Sequence, residues 1–394
     1  MNSQDYLKEI FILDAVRTPI GSSFRSLKEK SAAQLGSVVL KEILKRTKVK
    51  PDWINEVIFG NTVSAGIGQN LARQASVLAG LAHSLPASTV NNVCGSGLQA
   101  VIQGARTIGC QEADCVIAGA AESVSHCPYL VERKDKEKIV PEELKDSLIH
   151  DGLTCQMTHQ HMGELAEAMA RKFNVSRREQ DQFTLESHTK AMEAREKKKF
   201  ASEIIPVALE GGRVFLEDER VRKNISCEKL AELPSAFSES GTITAGNASA
   251  PADGAAAVLL ASQRFAQEHK LHPQARILGF VSAALKPSEL FEGAILSIRQ
   301  CLEKCHLGVQ DIDLFEVCEA FSVQAITTRN KLKIPDEKFN IYGGDIALGH
   351  PLGVAGLRVL VTLIHALINE KKKKGLAAVC FGGGGSIAMV AEII

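Results

Sequence analysis

The sequence predicts an α/β fold made of two similar halves with a polar segment inserted between them. Three observations carry that reading. Short β-rich runs alternate with helical patterns near both ends of the chain, as in layered α/β proteins. In each half a Gly-rich loop precedes a helical pattern, Val93-Cys94-Gly95-Ser96-Gly97 in the first and Gly349-His350-Pro351-Leu352-Gly353 in the second. Each half also has a later run ending in small residues, Val116-Ile117-Ala118-Gly119-Ala120 and Val379-Cys380-Phe381-Gly382-Gly383. The likeness is one of pattern, which points to an internal duplication.

The elements follow in order. In the first half, strands are expected at 10–13, 56–59, 89–93 and 115–118. Residues 123–249 are polar and irregular, with an alternating-charge helix at 177–199 that reads as exposed. In the second half, strands are expected at 275–280, 314–317, 339–342 and 377–381. Pro351 suits the first position of a helix, which puts His350 near its N-cap. The lysines at 371–374 read as a solvated helix end, with Gly375 as the cap.

Bulk properties exclude several function classes. With 394 residues the chain needs two or three packed units. Lys+Arg and Asp+Glu are both 46, so no net charge favours nucleic acid as a partner. Aromatics are only 5%, too few for recognition by base or sugar stacking. Ten cysteines without a CxxC pair read as reduced thiols, and the first residues lack an apolar signal core, so the cytoplasm is expected. No apolar segment reads as long enough to span a bilayer, so no membrane partner is expected.

Chemistry concentrates at three glycine-flanked positions. Residues 88–90 lead into Cys94, and Leu98, Val101, Ile102, Ala105 and Ile108 then recur at helical spacing. Cys94 therefore stands at a helix mouth, where free N–H groups and the helix dipole favour a thiolate. His350 is ringed by glycines, as a poised base would be rather than a core residue. Cys380 closes a strand and meets Gly382-Gly383-Gly384-Gly385. One Cys/His pair suffices for nucleophilic catalysis. A second loop thiol suggests separate proton transfer, against the plainer reading of a strand-end core residue. Cys318, in Cys318-Glu319-Ala320-Phe321, ends another strand on polar residues. Cys301, Cys305 and His306 fit a helix face better than a metal site. His159 and His161 lack further ligands at metal spacing, so no metal is expected.

These motifs together resemble the thiolase family, and the chain length suits its acetoacetyl-CoA (acetyl-CoA C-acetyltransferase) branch. The resemblance includes Ala15-Val16-Arg17-Thr18-Pro19-Ile20-Gly21, Gly68-Gln69-Asn70-Leu71-Ala72-Arg73-Gln74, His161-Met162-Gly163 and Thr244-Ala245-Gly246-Asn247-Ala248-Ser249 beside the Cys94, His350 and Cys380 motifs. It implies two βαβαβαββ halves in a five-layered α-β-α-β-α core. Residues 1–122 with 250–272 would form the N-terminal half, 273–394 the C-terminal half, and 123–249 a loop domain over coenzyme A. It implies that Cys94 carries the acyl group, His350 activates it, and Cys380 moves the proton on the acetyl methyl. The N–H groups of Cys94 and Gly382 would form an oxyanion hole. Leu153, His161 and Ser249 would line the pantetheine path, with Met162, Ala320 and Phe321 in the same coenzyme A-binding set and Arg222 near the nucleotide.

The resemblance further implies an acyl-CoA substrate, no required metal or redox cofactor, and a dimer or tetramer, with tetramers favoured despite the charged loop near 130–150. The chain departs from the family pattern at Cys318, where Asn or His is usual. It departs also at Asp345 for Ala, Ala355 for Ser, and 287–294, where Phe291 bears on the acyl pocket. Cys318 offers a poor hydrogen bond where a catalytic water is normally held. The expected reaction interconverts two acetyl-CoA with acetoacetyl-CoA and coenzyme A. The alternatives are a 3-ketoacyl-CoA thiolase for longer chains, an acyl-CoA-binding protein with reduced condensing activity, or a thiol sensor pairing Cys94 with Cys380 or Cys318.

Overall fold

The computed structural model describes residues 10–132 and 144–394. Residues 1–8 and the Arg133 to Asp135 part of the charged loop, both weighed above, lie outside the described residues. The main strands are β1 (Ile10–Arg17), β2 (Glu56–Gly60), β3 (Ala87–Val90), β4 (Cys115–Glu122), β5 (Ala252–Ser262), β6 (Ala275–Ala284), β7 (Leu314–Val317), β8 (Lys374–Phe381) and β9 (Gly385–Ile393). The main helices are α1 (Ala32–Thr47), α2 (Leu71–Ala79), α3 (Ser96–Gly109), α4 (Met162–Phe173), α5 (Arg177–Glu196), α6 (Gly293–Lys304), α7 (Ser322–Leu332) and α8 (Ala355–Asn369).

The strands hydrogen-bond in the order β7-β8-β9-β6-β1-β5-β4-β2-β3. The duplication is visible in this order. In one half β2 pairs parallel with β4, β4 antiparallel with β5, and β5 antiparallel with β1. In the other, β7 pairs parallel with β8, β8 antiparallel with β9, and β9 antiparallel with β6. Even the irregularities match. The register slips between Ile12 and Asp14 in β1 and between Ile277 and Gly279 in β6. The halves join where Phe11 and Ile12 pair with Arg276 and Ala275.

Helices α3 and α8 are the matching central pair. α3 packs on β2, β4 and β5, α8 packs on β7, β8 and β9, and the two helices pack on each other. α1 covers the other face of the first half and α6 that of the second, which completes the five layers. Glycine makes the central contact possible. A Cβ on Gly97 would lie 2.7 Å from Leu357 Cβ, and one on Gly356 would lie 3.1 Å from Leu98 Cβ. The apolar stripe of α3 that the spacing defined, Leu98 to Ile108, is buried.

Several expectations need correction. Residues 339–342 make only an isolated bridge, Phe339 to Phe315, because Asn340 turns into the left-handed region at φ 43°. α5 is not simply exposed: Asp181, Thr184, Ser187 and His188 are buried on it. Their polar groups find partners, Asp181 with Asn247, Thr184 with Ser322, and Ser187 with Glu319. Gly375 lies inside β8 instead of capping a helix, because Lys371 ends the chain's helical course at φ 53°. Pro351 caps a short turn, Leu352–Val354, before α8 rather than opening the helix. Finally, Leu352–Asn369 is apolar enough, at 18 residues, to cross a bilayer by composition. It is the central helix instead, 89% buried between the two halves.

Candidate active site

Cys94 stands on a strained elbow. β3 stops at Val90 and α3 starts at Ser96, so the chain turns within 91–95. Val93 takes φ 49°, which a β-branched residue rarely tolerates. Side chains brace it. Ser96 Oγ donates to Val93 O at 2.6 Å and accepts from Asn92 N at 2.8 Å. Thr62 Oγ1 donates to the same carbonyl at 3.0 Å. Gly95 is required because a Cβ there would lie 2.5 Å from the Phe381 ring. The half-buried thiol is thus held just before the start of α3.

His350 meets it from the other half. Its N–H donates to Ala250 O at 2.8 Å, and its carbonyl accepts from Ala252 N at 3.2 Å. Those bonds anchor the residue to the start of β5. Nε2 lies 3.2 Å from Cys94 Sγ. Nδ1 lies 3.3 Å from Asp345 Oδ1 and 3.6 Å from Cys318 Sγ. Burial opposes charge on His350, but Cys318, Cys94 and the bond to Asp345 outweigh it and raise its pKa well above the ordinary value. The flanking glycines suggested a residue poised outside the core, but His350 is buried, with 5% exposed.

Cys380, the penultimate residue of β8, lies opposite Ser386 and is 2% exposed. Burial, then Cys318 and Cys94, push its thiol well above the usual range. Gly382 opens the turn to β9, where Gly383 and Gly384 take φ 89° and 92°.

One cavity of about 440 Å³ brings these groups together, a size typical of small-molecule sites. Cys94, His350, Cys380 and Gly382 reach its wall. So do Leu153, His161, Met162, Arg222 and Ser249 from the inserted segment, and Ala320 and Phe321 from the loop before α7. Ser249 Oγ donates to Ala320 O at 2.9 Å and so ties two walls together. His161 Nδ1 accepts from Gly163 N at 3.0 Å and caps α4, while its ring stacks on Phe237 at 4.8 Å. Burial lowers its pKa, so the ring is neutral with its hydrogen on Nε2.

Cys318 is the exception. It is fully buried and off the cavity wall, touching His350 on the Nδ1 side. Burial, then Asp345, push its thiol to about 12, so it stays neutral. The sequence reading put Cys318 in the slot whose usual Asn or His holds a water; in the structure its Sγ lies on the Nδ1 side of the His350 ring.

Three site residues escaped the sequence reading. Arg220 lines the cavity beside Arg222, with burial and then Arg222 lowering its pKa to about 10. Among the described residues its Nε has no hydrogen-bond partner, which suits an anionic ligand. Arg358, fully buried on α8, pairs with Asp345 at 2.5 Å and Glu316 at 2.7 Å. A lone arginine in the apolar run Leu357-Arg358-Val359-Leu360 was the available signal. Asp345 was noted only as a departure. Cys318, Asp345 and His350 also place three donor atoms within 4.8 Å of one another. Arg358 already engages that carboxylate, so the group reads as an ion-pair chain.

The model of the thiolase N-terminal domain matches residues 10–264, and that of the thiolase C-terminal domain matches 271–393. An acetyl-CoA acetyltransferase of Allochromatium vinosum is 42% identical, covering 98% of this chain and 99% of the relative. The structure of a thiolase from Ascaris suum, determined in complex with coenzyme A, superposes with TM-score 0.93 at 38% identity, over 98% of this chain and 100% of that one. Human mitochondrial 3-ketoacyl-CoA thiolase gives TM-score 0.95 at 36% identity, over 98% and 99%. Two halves of one pattern, joined across a cavity that holds two cysteines and a histidine, thus find their counterpart along the whole chain, which belongs to the thiolase family.

Proposed function

We propose that this chain interconverts two acetyl-CoA with acetoacetyl-CoA and coenzyme A through an acyl-Cys94 intermediate. The observation that carries the reading is Cys94 Sγ at 3.2 Å from His350 Nε2, on a cavity that Cys380 also lines. His350 takes the Cys94 proton, and Sγ attacks the thioester carbonyl. The carbon–sulfur bond to coenzyme A breaks, and the leaving thiolate takes the proton from His350. Cys380, having passed its own proton to the now neutral His350, then removes a methyl proton from a second acetyl-CoA through Sγ. The resulting carbanion attacks the acyl carbonyl, forming the new carbon–carbon bond and breaking the bond to Cys94, whose thiolate takes the proton held by His350. The N–H groups of Cys94 and Gly382 are assigned to the oxyanion. Arg220 and Arg222 supply positive charge for the nucleotide end of coenzyme A, whose other contacts fall to Leu153, His161, Met162, Ser249, Ala320 and Phe321.

The named activity of the Allochromatium relative supports the acetyl substrate. So does the wall. Phe291 packs edge-on against Phe321 at 5.2 Å, and Phe237 against Phe321 at 6.5 Å, which leaves less room for a long acyl chain. The test is coenzyme A-dependent cleavage of acetoacetyl-CoA by the wild type and Cys94→Ala. Turnover by the wild type, loss in the variant, and one acetyl group on Cys94 by mass are expected. Full activity in Cys94→Ala would sink the reading, and a clear preference for longer 3-ketoacyl-CoA would replace its substrate. Ten free thiols suit a reducing cytoplasm. The short, partly exposed edge strand β3 suits a homo-oligomer, dimer or tetramer, which sedimentation would detect. A monomer would refute that part.

A further inference from the structure

Asp345 is fully buried at the start of the short helix Asp345–Leu348. Its carboxylate cannot turn freely. Oδ2 is held by Arg358 NH2 at 2.5 Å and by Glu319 N at 3.0 Å. Oδ1 alone faces the imidazole, 3.3 Å from Nδ1. The alternative partner at Nδ1 is the Cys318 thiol at 3.6 Å, a weak acceptor. On the opposite edge of the ring, Nε2 faces Cys94. The contact to Asp345 is slightly long, as catalytic hydrogen bonds often are before substrate binds.

We propose that Asp345 is a positioning residue, accepting the Nδ1–H of His350, aiming Nε2 at Cys94, and stabilising the imidazolium formed when Cys94 loses its proton. This rests on the reading of Cys94 as nucleophile. The logic is that of a nucleophile, a base and a carboxylate that orients the base. The surrounding charges agree. Those facing His350 are Cys94 from the elbow, Cys318 from the loop after β7, Cys380 from β8, and Asp345, with Arg358, Glu316 and Glu319 behind. Burial opposes ionisation of Asp345, but Arg358 and His350 overcome it and hold the carboxyl well below its usual range. Burial raises Glu316 to about 8 despite Arg358, so Arg358 is left chiefly to Asp345.

The experiment measures Cys94 acetylation by acetyl-CoA against pH, by quenched flow and mass, in the wild type, Asp345→Asn and Asp345→Ala. Both variants should acetylate roughly 10- to 100-fold more slowly, with little change in KM for acetyl-CoA. The limb of the pH profile governed by His350 should move about 1 to 3 units lower, because an adjacent anion has been lost. Adding Cys318→Asn to Asp345→Ala should recover much of the rate, since an amide oxygen can then accept from Nδ1. A merely structural aspartate would lower thermal stability and leave rate and pH profile unchanged, which overturns the proposal. If the variants do not fold, ¹⁵N-histidine NMR of the wild type decides: His350 protonated at Nδ1 is expected, and protonation at Nε2 alone overturns it. A wild type that never acetylates Cys94 refutes the nucleophile reading as well. Acetylation with an unaltered Asp345→Asn profile refutes only the role of Asp345.

Discussion

At the scale of residues, the two loop cysteines differ in environment and hence in task. Cys94 is half-buried beside His350 Nε2, whereas Cys380 is enclosed and its thiol is pushed well above the ordinary range. A thiol that keeps its proton is suited to protonate the carbanion released when acetoacetyl-CoA is cleaved. Cys380→Ala should therefore still acetylate Cys94 from acetyl-CoA but lose thiolysis by roughly 10²–10⁴-fold, the usual worth of a general acid–base. Equal loss in both half-reactions, measured by mass and by steady-state cleavage, would refute the division. Cys94, His350 and Cys380 were legible because each is a reactive side chain beside glycines at an element's end. Arg358 and Asp345 were not. Their meaning lies in a pairing across residues 345, 350 and 358 that letters alone do not display. Cys318 was recognised as unusual, but which side of the imidazole it touches depends on β7 and β8 lying in register, Val317 against Ala378.

At the scale of elements, close approach by glycine explains how two separate halves share one site. Gly97 and Gly356 let α3 and α8 meet, and Gly353 lets the loop before α8 reach Asn61 and Thr62. Glu122, at the end of β4, accepts from Thr62 N at 2.9 Å and Gly353 N at 2.8 Å. One carboxylate thus pins loops from both halves beside the elbow. A side chain on Gly97 would push on Leu357, and overpacking of this kind typically costs about 1–3 kcal/mol. It would also shift His350 relative to Cys94, since both are carried at the ends of those helices. The strands were readable from β-rich runs, but β1, β4 and β6 extend several residues beyond the runs that marked them. The run at 339–342 has strand composition, but Asn340 prevents a ladder. α5 was readable as a helix but not as a buried one, because its polar face is satisfied by partners far away in sequence, Asn247, Glu319 and Ser322.

At the scale of the whole molecule, a formal net charge of zero conceals many charged and titratable groups placed in the interior. Their protonation links folding to pH. His188 gives the clearest case. It lies on α5, 2% exposed, and its Nδ1 accepts from Arg222 N at 3.2 Å. Burial, then Arg222 and Arg220, lower its pKa from 6.5 to about 3. The folded protein therefore binds no proton there in a range where the unfolded chain does. Stability from this site is complete above pH 6.5 and is lost as pH falls from 6.5 toward 3, at no more than about 1.4 kcal/mol per unit. Gln at this position could still accept from Arg222 N but would not titrate. In urea unfolding at several pH values between 7 and 4, His188→Gln should thus show a shallower decline in stability than the wild type. Because the other buried acids are common to both proteins, the difference between the two slopes isolates the histidine. Parallel slopes would mean that His188 is solvated or protonated in the folded state, and that the arginine pair beside the cavity does not hold it neutral.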